Sequence, residues 1–264
     1  MKKTVKFSNY SLNYYFKPGL NLSDNELREM HRKINIVNEK SKDFKYGLFD
    51  KSLSFEDLKG IYSQMLICLI ELNDEPEGFF YNYIIDNGED KPIVHLGLVL
   101  IAKNIGNNLL YYPYLNGNKI LLENFKDGYF VTNISSTPKI IGEVTEAYDN
   151  VWPSPKSNLV VRPRKYDNIV KKLKEEYILR FFPMSEEIEI DMRRYVLKNN
   201  AREMNFECNM RSLAKDPRLN YNLFCMFWLD YNGHIAEDLI QVGEFNQDTL
   251  ERNLKIMNKL AESK

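Results

Sequence analysis

The sequence is poor in the residues that usually build metal sites and disulfides: it holds three cysteines and three histidines in 264 residues. Cys68, Cys208 and Cys225 are far apart and odd in number, and Cys68 and Cys225 lie in apolar stretches. That argues against a disulfide framework and for reduced, buried thiols in a cytoplasmic protein. There is no CxxC, no HExxH and no grouping of His31, His95 and His234, so no metal is expected, and His31 and His234 have no partner nearby in sequence. Excess charge of either sign is missing too, with 36 Lys+Arg against 37 Asp+Glu and a formal net charge of -1. Phosphate neutralisation ordinarily needs a basic surplus, so nucleic acid is not expected as the main partner. No apolar run approaches the ~20 residues that span a bilayer; 65–70 and 223–229 are strand-sized. The opening Met1-Lys2-Lys3 is followed by polar and aromatic residues, without the apolar region of a signal peptide. Internal repeats and low-complexity segments are absent as well.

What remains is material for a packed core: 44% of the chain is hydrophobic and 13% aromatic. Two helix starts are written near the N-terminus. Ser23-Asp24-Asn25-Glu26 is a capping box, followed by Leu27, Met30, Ile34 and Val37 at helical spacing. Ser54-Phe55-Glu56-Asp57 is a second start, with Leu53 and Leu58 placed as a hydrophobic staple, and its helix should end near Tyr62. Strands are predicted at 65–72 (MLICLIEL), 79–85 (FFYNYII), 93–101 (IVHLGLVLI) and 129–134 (YFVTNI), with turns over 73–78 and 86–90.

Beyond residue 158 the pattern changes. Val160 and Val161 read as a short strand. Ile169, Val170, Leu173 and Tyr177 mark an amphipathic helix, and 186–204 reads as another. Residues 223–229 (LFCMFWL) read as a buried strand, 231–233 as a turn and 238–242 as a strand pairing back. Leu250, Leu254, Met257 and Leu260 mark a closing helix. Pro153-Ser154-Pro155 is the best boundary, dividing the chain into 1–156 and 157–264, unless the whole is one domain.

Residues 94–101 (VHLGLVLI), then Lys103-Asn104-Ile105-Gly106-Asn107-Asn108, then 128–155 (GYFVTNISSTPKIIGEVTEAYDNVWPSP) carry a resemblance. With the order helix, helix, strand, hairpin strand, long strand, glycine-bearing loop, helix, strand, they resemble the acyl-CoA-binding core of the GNAT (GCN5-related N-acetyltransferase) superfamily. The likeness is to a divergent branch with an HLGLV strand and a TNISSTP strand end, and it runs from about residue 22 to residue 155. It implies a mixed α/β fold: a central mixed sheet whose fourth and fifth strands splay apart, flanked by helices, with a C-terminal part that completes or covers the sheet. It also implies acyl transfer, acetyl above all, from acetyl-CoA or another acyl-CoA to a small-molecule or peptide amine by direct attack. A non-catalytic binding or sensor module on the same fold is the first rival reading.

The resemblance places 103–108 at the family's R/Q-x-x-G-x-G/A phosphate loop, with Lys103 for the usual Arg or Gln and Asn108 for the second Gly or Ala. The physics of such a loop is independent of the family. A loop that follows a strand and opens a helix aims backbone N–H groups and the positive end of the helix dipole at one point, where a pyrophosphate fits. Gly106 would permit close approach and Lys103 would add charge. The second reading of Asn104, Ile105, Gly106, Asn107 and Asn108 is a plain hairpin turn into 109–115 (LLYYPYL) in an unrelated α/β protein, because Pro113 and Gly117 should interrupt a helix there.

By the same resemblance the pantetheine arm would bond to the backbone of Leu98, Val99 and Leu100, one N–H of which could stabilise the oxyanion. Asn133 and Ser135 stand at the strand end that faces the cofactor. Proton transfer needs a base and an acid. His95 and Glu71 are the candidate bases and Tyr148 the candidate acid, each against a plain packing role: a hydrogen-bonded core histidine, the polar end of a strand, one of seventeen tyrosines. Thr137 and Pro138 also read as the N-cap and first residue of a helix. Arg162, Arg164 and Lys165 form a basic cluster that could meet a CoA phosphate. The aromatics Phe79, Phe80, Tyr81, Tyr83, Tyr111, Tyr112 and Tyr114 line a pocket or fill the core.

Overall fold

The computed structural model describes residues 2–41, 45, 47–88, 90–102, 111–156, 162–182, 187–198, 219–229 and 237–262. The chain divides into two compact units, one made of Met1–Asp86, Leu96–Lys126 and Leu254–Lys264, the other of Asn87–His95 and Asp127–Asn253. Pro153-Ser154-Pro155 lies inside the second.

The first unit opens with β1 (Lys2–Phe7) and β2 (Tyr10–Phe16), an antiparallel pair that the sequence pattern did not announce. After the short α1 (Pro18–Asn21) come α2 (Asp24–Ser41) and α3 (Phe55–Tyr62). Both caps are as the sequence predicts. Glu26 accepts from the Ser23 backbone N–H at 2.9 Å, and Asp57 and Ser54 bond reciprocally. Leu27, Met30, Ile34 and Val37 form the buried stripe of α2.

β3 (Met65–Leu72) pairs antiparallel with β2 and with β4 (Glu75–Ile85). The turn between β3 and β4 is tighter than the composition of 73–78 suggested. Asn73 and Asp74 both have positive φ, 52° and 67°, so two residues suffice, and a register shift after Ile70 absorbs the rest of the segment. β5 (Ile93–Ile101) gives residues 96–101 to this unit and residues 93–95 to the other.

α4 (Tyr111–Asn124) corrects the expected interruption. Pro113 is the third residue of the described helix, and its carbonyl accepts from Tyr14 Oη at 2.9 Å. Gly117 lies against the ring of Phe80; a Cβ there would stand 3.3 Å from Phe80 Cζ. Residues 111–115 are therefore helical, and the plain hairpin with a returning LLYYPYL strand is excluded.

The second unit contains β6 (Tyr129–Ser135), α5 (Pro138–Ala147), β7 (Asp149–Trp152) and α6 (Arg164–Leu173). α6 continues through a π turn, Lys174–Ile178, into α7 (Leu179–Phe181). Thr137 and Pro138 hold the cap and first helical position of α5. Ile169, Val170, Leu173 and Tyr177 are buried as their spacing requires.

Three expectations for this unit are corrected. The 186–204 stretch is no helix where it is described. It forms β8 (Glu189–Asp191) and β9 (Val196–Lys198), an antiparallel pair turned at Tyr195, φ 56°, with Arg194 held by Asp191. Residues 223–229 are not a strand: 219–228 form α8 (Leu219–Trp228), burying Tyr221, Cys225 and Leu229 while Leu223, Met226 and Phe227 are exposed. Apolar residues all round a short segment hide its 3.6-residue period, and the strand reading followed from that. β10 (Asp238–Phe245) pairs with β6 along its length and with β7 and β9, not back on 223–229. α9 (Gln247–Glu262) closes the chain as predicted. The expectations for Val160, Val161, Cys208, His234 and the 231–233 turn lie outside the described residues.

The pairs β1–β2, β2–β3 and β3–β4 in the first unit are antiparallel, as are β6–β10, β7–β10, β9–β10 and β8–β9 in the second. Both units combine such strands with packed helices. Among the described residues no helix is long and apolar enough to cross a membrane.

Candidate functional site

β5 is the strand on which the sequence concentrates its site residues. Its burial is uneven. Ile93, Val94, His95 and Leu100 are buried, whereas Leu96, Gly97, Leu98 and Val99 are half-buried. At Gly97 the ring of Tyr81, from β4, takes the place of a side chain. Lys103, Asn104, Gly106, Asn107 and Asn108 lie outside the described residues. The last described residue before them, Ala102, donates its N–H to the Glu77 carbonyl at 2.7 Å.

His95 is sealed within the second unit. It is 2% exposed, its Nδ1 lies 3.0 Å from Thr132 Oγ1 on β6, and its ring stands 4.1 Å from that of Tyr177. Burial without a compensating carboxylate pushes its pKa down to about 3, so the imidazole is neutral at pH 7. Thr132 follows from the alternation of YFVTNI only once β6 is set beside β5; the spacing of Tyr177 predicts its burial, but nothing local ties it to His95.

Glu71, near the end of β3, is 5% exposed and doubly engaged. Oε2 accepts from Asn13 Nδ2 at 2.5 Å and Oε1 from Lys33 Nζ at 2.6 Å. Asn13 in turn accepts from Thr4 Oγ1 at 2.7 Å, so one chain of hydrogen bonds crosses β1, β2, β3 and α2. The neighbouring Tyr15 hydroxyl is pushed up to about 12, by burial first and by the Glu71 charge second. Asn13 escapes a reading of the sequence because β2 does, and Lys33, on the α2 that the sequence predicts, because nothing local sets it beside β3.

Tyr148 ends α5, its backbone N–H bonding the Val144 carbonyl at 3.2 Å, and its ring meets Phe245 edge-on at 5.5 Å. Asn133, 5% exposed, donates to Gln241 Oε1 at 3.3 Å. Gln241 itself bonds the Ile141 and Pro153 carbonyls and Thr145 Oγ1. Ser135 Oγ accepts from the Thr137 N–H at 3.0 Å and so shapes the start of α5.

The site candidates thus fall in two groups, Glu71 with Leu98, Val99 and Leu100 in the first unit, and His95, Asn133, Ser135 and Tyr148 in the second. Of the basic cluster, Arg162 and Lys165 are engaged. Arg162 bonds the Met192 carbonyl and pairs with Asp167, and Lys165 pairs with Glu244 at 2.6 Å. Of the aromatics, Phe79, Phe80 and Tyr83 are fully buried, and Tyr112 and Tyr114 stack on Phe7 and Phe80. Among the described residues no group of three or more His, Cys, Asp or Glu could hold a metal ion.

These elements define a mixed α/β protein with antiparallel strands and packed helices. No family model and no curated protein matches the chain. Among solved structures it is similar to a GNAT-family acetyltransferase from Streptococcus pneumoniae, at 8% identity over 89% of this chain and 99% of that one, with a TM-score of 0.39. It is also similar to an acetyltransferase from Thermus thermophilus, at 10% identity over 89% and 97%, TM-score 0.32. A third is an aminoglycoside acetyltransferase from an uncultured soil metagenomic sample, in complex with trehalose, at 13% identity over 44% and 72%, TM-score 0.33.

Proposed function

We infer that the chain binds an acyl-CoA, acetyl-CoA first, along the second half of β5 and transfers its acyl group to an amine by direct attack. The observation that carries this is the half-exposure of Leu96, Gly97, Leu98 and Val99 in the middle of a strand whose preceding and following residues are buried. An extended, amide-bearing chain laid along these residues would take strand N–H and C=O groups as an added strand does. The order α2, α3, β3, β4, β5, then 103–108, then α4, β6 and α5 supports the reading, because it is the order that the GNAT resemblance implies.

In this reaction the amine nitrogen bonds to the thioester carbon, the C–S bond breaks, and the CoA thiolate leaves and takes up a proton. A β5 backbone N–H is the donor assigned to the developing oxyanion. Lys103, Asn104, Gly106, Asn107 and Asn108 are assigned to the pyrophosphate. Asn133 and Ser135 bond within the second unit and are given no part.

Calorimetry with CoA and acetyl-CoA tests the reading, followed by a thiol-release screen over small amines and peptides. Binding of both nucleotides and its loss in Gly106→Pro are expected. No binding by the wild-type chain overturns the proposal, and unchanged binding in the variant overturns the loop.

A second reading, acyl-CoA binding without turnover, is favoured by one specific observation. Each candidate for proton transfer is engaged: His95 by burial and Thr132, Glu71 by Lys33 and Asn13, Tyr148 by its packing on Phe245. Acetyl-CoA binding with no thiol release over the whole amine panel would select it.

A further inference from the structure

We propose that the groove between α2 and α3 is a binding site for a small organic anion with an apolar body, an aryl or alkyl carboxylate. The groove is half open to solvent and offers about 500 Å³, a volume of the size that small-molecule sites use. Leu27, Ile36, Leu53 and Leu58 give it apolar walls.

Two donors stand at one end. Arg28 lays its guanidinium over the Phe55 ring, 3.6 Å from the centroid. Stacking occupies the face of the guanidinium and leaves its N–H edge for a planar, two-oxygen acceptor. Among the described residues no carboxylate is paired with Arg28. One turn away, Arg32 pairs with Glu29 through two hydrogen bonds of 2.7 Å, which balances its charge. Glu39 lines the groove too, but eleven residues on, about 16 Å along the helix. The Arg28 end therefore keeps its positive charge.

His31, which also lines the groove, follows Arg28 at the i+3 position and so shares its face. Its Nδ1 lies 2.7 Å from Tyr62 Oη. Tyr62 is fully buried, and burial pushes its hydroxyl well above the ordinary tyrosine range, so it keeps its proton. Among the described residues Nδ1 is the one acceptor that this proton has, so Tyr62 donates and His31 Nδ1 accepts. Burial also holds His31 below the ordinary histidine range. A neutral imidazole whose Nδ1 accepts carries its hydrogen on Nε2, which makes Nε2–H the second donor for an anion already paired with Arg28.

The site lies wholly in the first unit and does not depend on the acyl-CoA reading. Amide-resolved NMR titration with phenylpropionate and with phenylpropanol tests it. The acid is expected to shift amides of α2 and α3 and to bind about tenfold more tightly than the alcohol. Arg28→Met should abolish that difference by weakening the acid alone, and Arg28→Lys should restore part of it. Arg28 is exposed and loses at most its stack on Phe55, so both variants should melt within a few degrees of the wild type. Equal affinity for acid and alcohol in the wild type, an unchanged preference in Arg28→Met, or shifts centred on the exposed Leu223, Met226 and Phe227 of α8 would overturn the proposal.

Discussion

The ring of Tyr81 stands where a side chain at residue 97 would be. A Cβ built on Gly97 falls 2.0 Å from Tyr81 Cε2 and 2.4 Å from Cδ2. Tyr81 is 6% exposed, so its ring cannot simply swing into water. Gly97 thus lets an aromatic from β4 pack against β5 within the segment proposed to meet acyl-CoA.

Gly97→Ala should accordingly destabilise the protein by about 1–3 kcal/mol, the usual cost of forcing a methyl group into filled space. Urea unfolding measures it. The double variant Gly97→Ala with Tyr81→Leu should lose less than the two single changes added together, because the smaller side chain clears the clash. Wild-type stability in Gly97→Ala would show that the ring has room to move.

His95 makes stability depend on pH in a stated direction. Its folded pKa of about 3 lies below the ordinary value of 6.5. The unfolded chain therefore takes up a proton as pH falls through 6.5, and the folded chain does not until near 3. Stability is thus lost on acidification within that window, by at most about 1.4 kcal/mol per pH unit from this residue. His31, also held down by burial, acts in the same sense. Unfolding free energies measured from pH 7 to pH 4 should fall less steeply in His95→Gln than in the wild type. Parallel curves would mean that His95 is protonated in the folded state.

Local chemistry was legible in the sequence and distant pairing was not. The Ser23 and Ser54 caps, the 65–72 and 93–101 strands and the buried stripe of α2 each depend on residues within a few positions of one another, and the structure reproduces them. β2 escapes the strand pattern because Leu12, Asn13, Tyr14 and Tyr15 are buried in succession, and β1 because Val5 and Phe7 are its only strongly apolar residues. α8 was misread because its exposed face carries Leu223, Met226 and Phe227, which erases the amphipathic signal. His95, Glu71 and Asn133 were picked out by residue type and position, but their partners Thr132, Lys33 and Gln241 come from other elements. A residue's partners decide whether it can move a proton, so the site's chemistry was the least legible part.

The Glu71–Lys33 pair gives a last prediction, decided by unequal exposure. The Glu71 side chain is 7% exposed and that of Lys33 25%. Lys33→Met leaves a buried carboxylate with Asn13 as its remaining donor among the described contacts, whereas Glu71→Gln leaves an ammonium that water still reaches. Breaking a pair costs most when the charge left behind is the buried one. Lys33→Met should therefore cost about 2–3 kcal/mol, less than for a fully sealed pair because Asn13 still donates, and Glu71→Gln only about 1 kcal/mol. Combining them removes the stranded charge, so the double variant should be more stable than Lys33→Met alone. Denaturant unfolding of the three variants at neutral pH checks the order. If Glu71→Gln proves the more damaging single change, the pair is held by the carboxylate's bond to Asn13 and not by its charge.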